Sequence, residues 1–181
     1  MEANRISDLV TQLREAYRPR SKSLVLVSVP QILKEVNLLL APQLKRSQVD
    51  CDLSQTNRPC TVLAIQDNLK QVFINLFMNA MEAMAVDKKG KISVHYNFEQ
   101  SPGMVGVEIH NTGPLIPQED VVHIFEPFFT TKGLGSGLGL SICFDIIKQH
   151  SGEITVRNDP ETGVTFTVWL PLESTRGQEQ G

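Results

Sequence analysis

The sequence predicts a two-layer α/β sandwich, a mixed, largely antiparallel sheet covered on one face by helices. Two observations lead to this fold class. Helical and strand patterns follow one another along the chain as helix, strand, long helix, hairpin, loop, helix and hairpin. The strands cluster in antiparallel pairs joined by turns. The 181 residues suit one domain of ordinary size with a real core.

Composition narrows the class of protein. Hydrophobic residues make up 41% and charged residues 20%, as in soluble globular proteins. The net charge of −3 gives no general attraction to nucleic acid or to an anionic membrane. Three cysteines without metal-type spacing favour a reduced, cytoplasmic setting. No apolar run reaches the roughly 18 residues of a membrane span, so a membrane anchor of a parent protein would lie outside this sequence.

The first helix is expected at residues 4–17, where an apolar stripe recurs at three- and four-residue spacing. This stripe cannot bury itself alone and requires a partner helix. The residue before Pro19 disfavours the helical region, so residues 17–21 should be a linker. The members of the stripe are Ile6, Leu9, Val10 and Leu13.

Two helices should follow within the main domain. One begins after Pro30, which fits the first helical turn because its missing N–H costs nothing there. We expect its inner face to carry Ile32, Leu33, Val36, Leu39 and Leu40. The other is the strongest helical pattern, at about 67–85. Its apolar side is formed by Leu69, Val72, Phe73, Leu76, Phe77, Ala80 and Met84.

The remaining elements are strands and one short helix. Gly152 and Gly163 supply helix-stop and hairpin-turn signals, and a turn is expected at 101–103. Strands are predicted at 49–53, 91–98, 105–110, 153–158 and 164–170, and a helix from Leu138 to about His150. Residues 173–181 are polar and read as a flexible tail.

The most informative segment is the glycine-rich run at 121–142. It places four glycines just before the helix expected at Leu138, and these are Gly133, Gly135, Gly137 and Gly139. Glycine lets a backbone approach a ligand closely, and a helix N-terminus offers free N–H groups to an anion. The segment therefore predicts a phosphate site, although a plain linker has a similar composition. The spacing fits neither a dinucleotide fingerprint nor a Walker motif.

A row of polar side chains interrupts the long helix. Asn75, Asn79 and Glu82 are spaced by four and three, so they share one face. Asparagine is a poor helix-interior residue, so two of them require a reason. They either cap neighbouring loops in the core or direct carbonyl oxygens at a magnesium–phosphate unit.

A third motif follows the strand at 105–110. The segment NTGPLIP, residues 111–117, places a polar side chain and then Gly113 at a strand end, where ligands of sheets commonly bind. A simple Asn-Thr-Gly-Pro turn would have the same sequence.

These motifs together resemble a known family. NLFMNA, NTGPLIP, FEPFFTTK and GSGLGLSI occur in the order of the ATP-binding catalytic domain of sensor histidine kinases, in the GHKL superfamily with its Bergerat ATP-binding fold. Gyrase, the mismatch-repair MutL proteins and a heat-shock chaperone share this superfamily. The similarity extends over about 25–172, and the pairing of NAMEAM with PFFTTKGLGSGLGL looks most like the nitrogen-regulation type. The resemblance implies a stub of the dimerisation and phosphoacceptor hairpin at 1–20, the ATP-binding domain at 21–172 and a tail at 173–181.

The resemblance also implies roles. Asn79 would coordinate Mg²⁺ on the ATP phosphates. Asn75 stands where ATP-hydrolysing relatives carry a glutamate, and an amide cannot act as a general base. Phe125, Phe128 and Phe129 would anchor a lid over the nucleotide. The implied ATP-binding residues are Asn75, Asn79, Asn111, Gly113, Phe125, Thr131, Lys132, Gly135, Gly137, Leu138 and Gly139.

Three positions depart from the family pattern. Asn111 replaces an aspartate that accepts a hydrogen bond from the adenine amino group, and a neutral acceptor binds more weakly. Leu115 replaces a glycine. Glu82 stands where many members carry a basic residue, so phosphate charge would be neutralised by Mg²⁺, Lys132 and the helix end.

The acceptor histidine is expected to lie outside this chain. Two of the four histidines fall in predicted strands, one in the lid and one at a helix end, and these are His95, His110, His123 and His150. The implied partners are the phosphoacceptor domain of the same, homodimeric kinase and a response regulator. Autophosphorylation of this chain alone is not expected. The alternatives are a degenerate module that binds nucleotide without transfer, an ATP-hydrolysing conformational machine, and a scaffold without nucleotide.

Overall fold

A computed structural model describes residues 23–85, 89–98, 103–131 and 136–173. The helix predicted at 4–17, its linker and most of the predicted tail lie outside these described ranges. None of the helices within them combines the length and the apolar composition that a membrane crossing requires.

The centre of the fold is a five-stranded mixed sheet in the order β2-β4-β5-β7-β6. Strand β2 runs parallel to β4, and the other neighbours are antiparallel. All five strands were predicted to within two residues at either end. Their bounds are β2 Val49–Leu53, β4 Gly90–Asn97, β5 Met104–Asn111, β6 Glu153–Asp159 and β7 Gly163–Pro171.

Three helices cover one face of this sheet, which confirms the predicted two-layer sandwich. They are α1 Val29–Arg46, α2 Gln66–Ala83 and α3 Gly139–Gln149. Alternate strand residues such as Ile92, Val94 and Ile109 are buried beneath them. The next residue along each strand points to the other face of the sheet, as the period of two requires. The core therefore lies between the helices and the sheet.

Helix α1 shows one error in the predicted inner face. Val36, Leu40 and Leu44 are buried at four-residue spacing, whereas Leu39 is 61% exposed. A four-residue step continues the buried row of a helix, and Leu39 lies one position off that row. The other residues predicted for the inner faces of α1 and α2 are buried.

A two-stranded antiparallel ribbon is formed by one strand that comes before α1 in the sequence and one strand that comes after it. It consists of β1 Val25–Ser28 and β3 Thr61–Ala64, and neither strand was predicted. Each has four residues, too few for an alternation of apolar and polar residues to show. The ribbon therefore depended on tertiary pairing.

The helix-free face of the sheet carries one close contact between a glycine and an aromatic ring. Gly106 and Trp169 are cross-strand partners. A Cβ added to Gly106 would lie 2.7 Å from the Trp169 ring, so glycine is required for the ring to lie on this strand. The Trp169 ring therefore covers the backbone of β5 at Gly106, which has no side chain.

Candidate functional site

Helix α2 brings the predicted asparagine row to the start of α3. Asn75 is half-buried, and its Nδ2 donates a hydrogen bond to the carbonyl oxygen of Gly139 at 3.2 Å. Gly139 is the first residue of α3. This bond fixes the polar row of one helix against the N-terminus of the other.

The rest of the row continues toward the end of α2. Asn79 is half-buried, and Glu82, one turn on, is exposed. Both residues interact with other groups of the protein. The row therefore runs from the contact with α3 to the surface, as three polar residues on one face should.

Helix α3 begins without a side-chain cap on its first free N–H groups. Its N-cap is Leu138, at φ −102° and ψ −18°. The Leu138 N–H donates to Ser136 Oγ at 3.4 Å, and Ser141 Oγ donates to the Leu138 carbonyl at 3.0 Å. The first N–H groups of a helix have no partner within the helix and lie at its positive end. This end of α3 suits an anion.

A backbone hydrogen bond joins Phe128 to Gly137 within the glycine-rich run. The Phe128 N–H donates to the Gly137 carbonyl at 2.9 Å, and both residues have φ 67°. A Cβ on Gly137 would lie 2.4 Å from the Phe128 carbonyl carbon. Gly137 is therefore required by the fold itself, while Phe128 keeps its side chain 70% exposed.

Gly139 has no such requirement. Its φ is not positive, and a Cβ added there would meet nothing within 4 Å. Open space lies beside it at the helix N-terminus, next to the Asn75 contact. A missing side chain that the fold does not demand leaves room for a ligand at this point.

The loop after β5 forms a second group of polar atoms. Asn111 is only 3% exposed, its Oδ1 accepts the Gly113 N–H at 3.0 Å, and its Nδ2 donates to the Val164 carbonyl at 3.3 Å. A Cβ on Gly113 would lie 2.8 Å from Asn111 Oδ1. Gly113 thus permits the tight turn, and Met84, the C-cap of α2, lies against it.

Aromatic rings join the segment before the glycines to the core. The Phe125 ring lies 5.8 Å from that of Phe144 and 6.5 Å from that of Phe166. The Phe129 ring lies 5.8 Å from the His123 ring. Two of the three predicted anchors are half-buried, and Phe128 is exposed.

The thiol next to Asn75 is not a nucleophile. Burial raises the pKa of Cys143 from its ordinary value of 9.0 to about 12, and a hydrogen bond with Asn75 lowers it slightly against that trend. The Cys143 Sγ lies 3.7 Å from the Val72 carbonyl. A thiolate is the reactive form of cysteine, so a thiol that stays protonated is inert.

The donors of the site fit a metal ion that arrives with its ligand. Among the described residues, no group of three or more histidines, cysteines or carboxylates could hold a metal. Mg²⁺ keeps several waters and takes one or two protein oxygens together with substrate phosphates. The amide oxygen of Asn79, one turn along α2 from the contact between Asn75 and Gly139, is one donor of this kind.

A cleft of about 650 Å³ lies on the other side of the sheet. Its lining includes Lys91, Ser93, His110 and Thr162, with the loop 112–115 at one side. Neither Asn75 nor Asn79 lines it. We place the candidate site at α2 and α3 instead, because the polar row and the helix N-terminus meet there.

For some of the predicted site residues, the contacts described above give no test of the predicted role. Lys132 and Gly135 lie outside the described ranges, and Thr131 is exposed. The closure of Phe128 on Gly137 and the bond from Asn75 to Gly139 were not predicted. The contact of Ser136 with the start of α3 could have been predicted, since serine just before a helix commonly binds its first N–H groups. The two other contacts join positions that are distant in sequence or depend on backbone angles.

Comparisons with known proteins show the family and the fold of this chain. Residues 64–174 match the family described as Histidine kinase-, DNA gyrase B-, and HSP90-like ATPase. Sensor histidine kinase ZraS of Escherichia coli K12 is 32% identical over 180 residues, which cover 99% of this chain and 38% of the relative. Sporulation kinase C of Bacillus subtilis 168 is 33% identical over 175 residues, 96% of this chain and 40% of the relative. The chain spans less than half the length of these two relatives.

Solved structures share the fold. The catalytic domain of histidine kinase ThkA, in a nucleotide-free form, has a TM-score of 0.73 and 37% identity, covering 82% of this chain and 95% of that one. Histidine kinase ThkA in complex with the response regulator TrrA has a TM-score of 0.76 and 32% identity, covering 97% of this chain and 50% of that one. These relatives confirm the family resemblance of the four motifs and the predicted fold.

Proposed function

Because the chain belongs to the family of histidine kinase-, DNA gyrase B- and HSP90-like ATPases and has the ATP-binding domain of sensor histidine kinases, we propose that it holds Mg·ATP at α2 and the start of α3 for transfer of the γ-phosphoryl group to a histidine. One observation carries the proposal: Asn75 Nδ2 donates to the Gly139 carbonyl at 3.2 Å. This contact joins the asparagine row to a helix N-terminus with open space beside Gly139. The nitrogen-regulation subtype stays a prediction.

Asn75 favours transfer over hydrolysis. Its amide cannot take a proton from water at neutral pH, and its Nδ2 is already bonded to α3. The side chain therefore orients the two helices without activating water. Phosphoryl transfer then depends on positioning and on neutralisation of charge.

Asn79 would supply an oxygen to Mg²⁺, which would neutralise phosphate charge when bound. The remaining donors to the phosphates would be the first N–H groups of α3, including that of Gly139, while the Leu138 N–H donates to Ser136 Oγ. We propose that Gly135, Lys132 and Thr131 complete this side of the site, as the family resemblance implies. The predicted lid residue Phe125 is fixed to the core by its contacts with Phe144 and Phe166.

Asn111 and Gly113 would bind the adenine. The Asn111 oxygen accepts the Gly113 N–H, and an amide oxygen has a second lone pair for an adenine amino group. Its acceptor is neutral, so this contact is weaker than the one a carboxylate would make. The Asn111 amide is held in orientation by the Val164 carbonyl.

The phosphoryl acceptor would be a histidine on a helical domain of the parent kinase. His150 is buried with both ring nitrogens in hydrogen bonds, and His110 is bonded to Thr165 on the far face of the sheet. We propose a homodimeric, cytoplasmic kinase assembly that passes the phosphoryl group to a response regulator. Free thiols at all three cysteines fit the reducing cytoplasm.

The first test measures binding of Mg·ATP by calorimetry. Asn79→Ala should weaken Mg²⁺-dependent binding at least about tenfold, the equivalent of 1.4 kcal/mol, with the fold retained because the side chain is only half-buried. Asn37→Ala, a half-buried asparagine on α1, is the matched control and should bind as the wild type does. No binding by the wild type at millimolar ATP would reject the proposal in favour of a scaffold.

The second test separates transfer from binding alone. The chain is mixed with labelled ATP and with the helical phosphoacceptor domain of the parent kinase. Label should appear on a histidine of that domain and not on this chain. Binding without transfer would identify a regulatory nucleotide module, which the neutral acceptor at Asn111 keeps as the second candidate. Steady hydrolysis that Asn75→Asp leaves unchanged would instead indicate a conformational ATPase.

A further inference from the structure

The proposed kinase reaction leaves the cleft on the helix-free side of the sheet without a role. Its volume of about 650 Å³ falls within the range of about 300–1,000 Å³ that is usual for small-molecule sites. Residues of β4 and β5 form its floor. One wall is the loop 112–115, and the other is the turn 160–163 between β6 and β7. We call it the sheet-face cleft.

The floor of the sheet-face cleft brings three polar side chains together. Ser93 and His110 are direct cross-strand partners, and Lys91 lies two residues before Ser93 on the same face. The His110 Nδ1 lies 3.0 Å from Oγ1 of Thr165, which is only 6% exposed. This contact holds the imidazole in place and leaves Nε2 as the ring nitrogen available to a ligand.

Contacts within the protein fix both walls of the cleft. The Lys91 N–H donates to Thr112 Oγ1 at 3.0 Å, and the Thr112 N–H donates to the Lys91 carbonyl at 3.2 Å. Beyond the loop, the Asn158 amide accepts the Ile116 N–H at 3.1 Å and donates to the Ile116 carbonyl at 2.7 Å. A Cβ on Gly163 would lie 3.0 Å from Thr112 Cα, so the turn packs directly on the loop. A cleft formed in advance requires little ordering when a ligand binds.

An apolar wall distinguishes this cleft from what the family pattern would give. Leu115, which replaces a glycine of that pattern, is 42% exposed and lines the cleft with Pro114 and Pro160. A glycine at this position would leave that part of the wall without a side chain. The sheet-face cleft therefore combines a polar floor with an apolar wall, as sites for small organic molecules usually do.

We propose that the sheet-face cleft binds a small organic carboxylate. The carboxylate would lie at Lys91, Ser93 and His110, and the apolar body of the ligand would pack on Leu115. Hydrogen bonds between an ammonium group and a carboxylate are among the stronger ones that a protein can offer a ligand. The ligand is thus an anion with an apolar part, and inorganic anions would use only the floor.

The acidic groups near the cleft do not reverse this preference. Glu161 is the one acidic residue among the described residues that line the cleft, and it is exposed on the far wall. The strand order places its turn at least two strand spacings from β4, about 10 Å, which exceeds the Debye length of about 8 Å at physiological salt. Asp52 lies 3.4 Å from the Lys91 ammonium, with the two side chains 62% and 51% exposed. An exposed pair of this kind contributes little stability, so a ligand can replace Asp52 as the partner of Lys91.

The test is an NMR titration of the whole chain with benzoate as the probe, in the absence of nucleotide. Saturable shifts should appear at the His110 ring and at the amides of Leu115 and Thr162, with a Kd of about 1–10 mM for so small a ligand. Benzamide has the same shape without the charge. It should bind at least about fivefold more weakly, because charge-assisted hydrogen bonds are roughly twice as strong as neutral ones.

Two variants test the floor and the wall separately. Lys91→Gln should weaken benzoate binding at least about fivefold, whereas Lys34→Gln, at an exposed lysine of α1, is the matched control and should leave it unchanged. Leu115→Ser should weaken benzoate binding at least about threefold through the loss of apolar contact. Its control is Leu38→Ser, because Leu38 is 78% exposed on α1. All four side chains lie at the surface, so each variant should keep the fold.

Three results would overturn the proposal. Benzoate could give no saturable shifts at tens of millimolar, bind no better than benzamide, or bind the Lys91→Gln variant as tightly as the wild type. Shifts centred on Gly139 would equally overturn it, since they would place the anion at the start of α3. The titration contains no nucleotide, so these results leave the proposed kinase function untouched, and failure to bind ATP leaves the carboxylate site untouched.

Discussion

At the scale of single residues, two neighbouring glycines have different reasons to be glycine. Gly137 has φ 67° and leaves no room for a Cβ beside the Phe128 backbone. Gly139 has an ordinary helical position at the start of α3 and open space around it. The first serves the fold, and the second leaves open space for a ligand at the start of α3.

This difference predicts opposite effects for the same substitution. Gly139→Ala should raise the free energy of unfolding by about 0.5–1 kcal/mol, because alanine loses less backbone entropy in a helix, yet weaken Mg·ATP binding. Gly137→Ala should lower the free energy of unfolding, since its backbone conformation excludes a Cβ. Thermal unfolding and ATP titration of both variants check this. Unchanged ATP affinity in Gly139→Ala would contradict a phosphate site at this helix end.

The buried thiols predict how stability depends on pH. Burial raises the pKa of Cys143 and of Cys60 from 9.0 to about 12. As pH rises, the unfolded state therefore loses these protons before the folded state does. The stabilisation of the folded state by the two protonated thiols is fully present below pH 9 and is lost as pH rises toward 12. Each group contributes a slope of up to about 1.4 kcal/mol per pH unit in that window.

Cys143→Ala isolates one of these contributions. Its free energy of unfolding should fall less steeply than that of the wild type between pH 9 and 11, whatever its absolute value. Denaturant titrations at several pH values measure both slopes. Equal slopes would show that the Cys143 thiol is not held protonated by the fold.

At the scale of elements, one histidine joins the two helices that carry the candidate site. His150 Nε2 accepts the Ile65 N–H at 3.0 Å, at the N-cap of α2. Its Nδ1 lies 2.7 Å from the Ile146 carbonyl of α3, so Nδ1 carries the proton and donates it. The end of α3 thereby caps the start of α2, which has no side-chain cap of its own. This contact and the bond from Asn75 to Gly139 fix α2 and α3 together at two places.

Loss of this imidazole should destabilise the domain. His150→Phe leaves the Ile65 N–H without its acceptor, and an unsatisfied buried donor costs about 1–3 kcal/mol. The matched control is His123→Phe, because His123 is exposed and lies in the segment before the lid. Its free energy of unfolding should change by less than about 0.5 kcal/mol. Equal effects of the two variants would contradict the capping role of His150.

At the scale of the whole molecule, the described residues share one hydrophobic core. The helices, the sheet and the inner face of the ribbon all contribute to it, with Leu33, Phe73 and Val168 fully buried. Elements that bury their apolar faces against one another unfold together, as most single domains of this size do. The site is therefore only as stable as the domain that carries it.

Two probes on different parts of the fold can check this cooperativity. Trp169, the single tryptophan, lies on the helix-free face of the sheet, while far-UV circular dichroism reports mainly the helices on the other face. Urea titrations followed by the two signals should give the same midpoint. Separate midpoints would show that the helical layer and the sheet unfold independently.

Much of this fold could be predicted from local patterns. The period of two in β4, β5 and β7 and the apolar rows of α1 and α2 each extend over enough residues to be recognised. The four-residue strands of the ribbon do not, and Leu39 was wrongly placed inside because neighbouring leucines blur the helical row. The order of the strands and the parallel pairing of β2 with β4 depend on contacts between distant segments.

The sequence by itself determined the fold class and the family, because motifs and periodicities are local. They can be recognised without knowledge of how the strands pair. It also named the asparagines, the strand-end loop and the glycines as a group. Only the tertiary structure decided that Asn75 meets Gly139 and that Asn111 is held by Val164. Those contacts join residues up to 64 positions apart, and their geometry is set by packing that no local pattern contains.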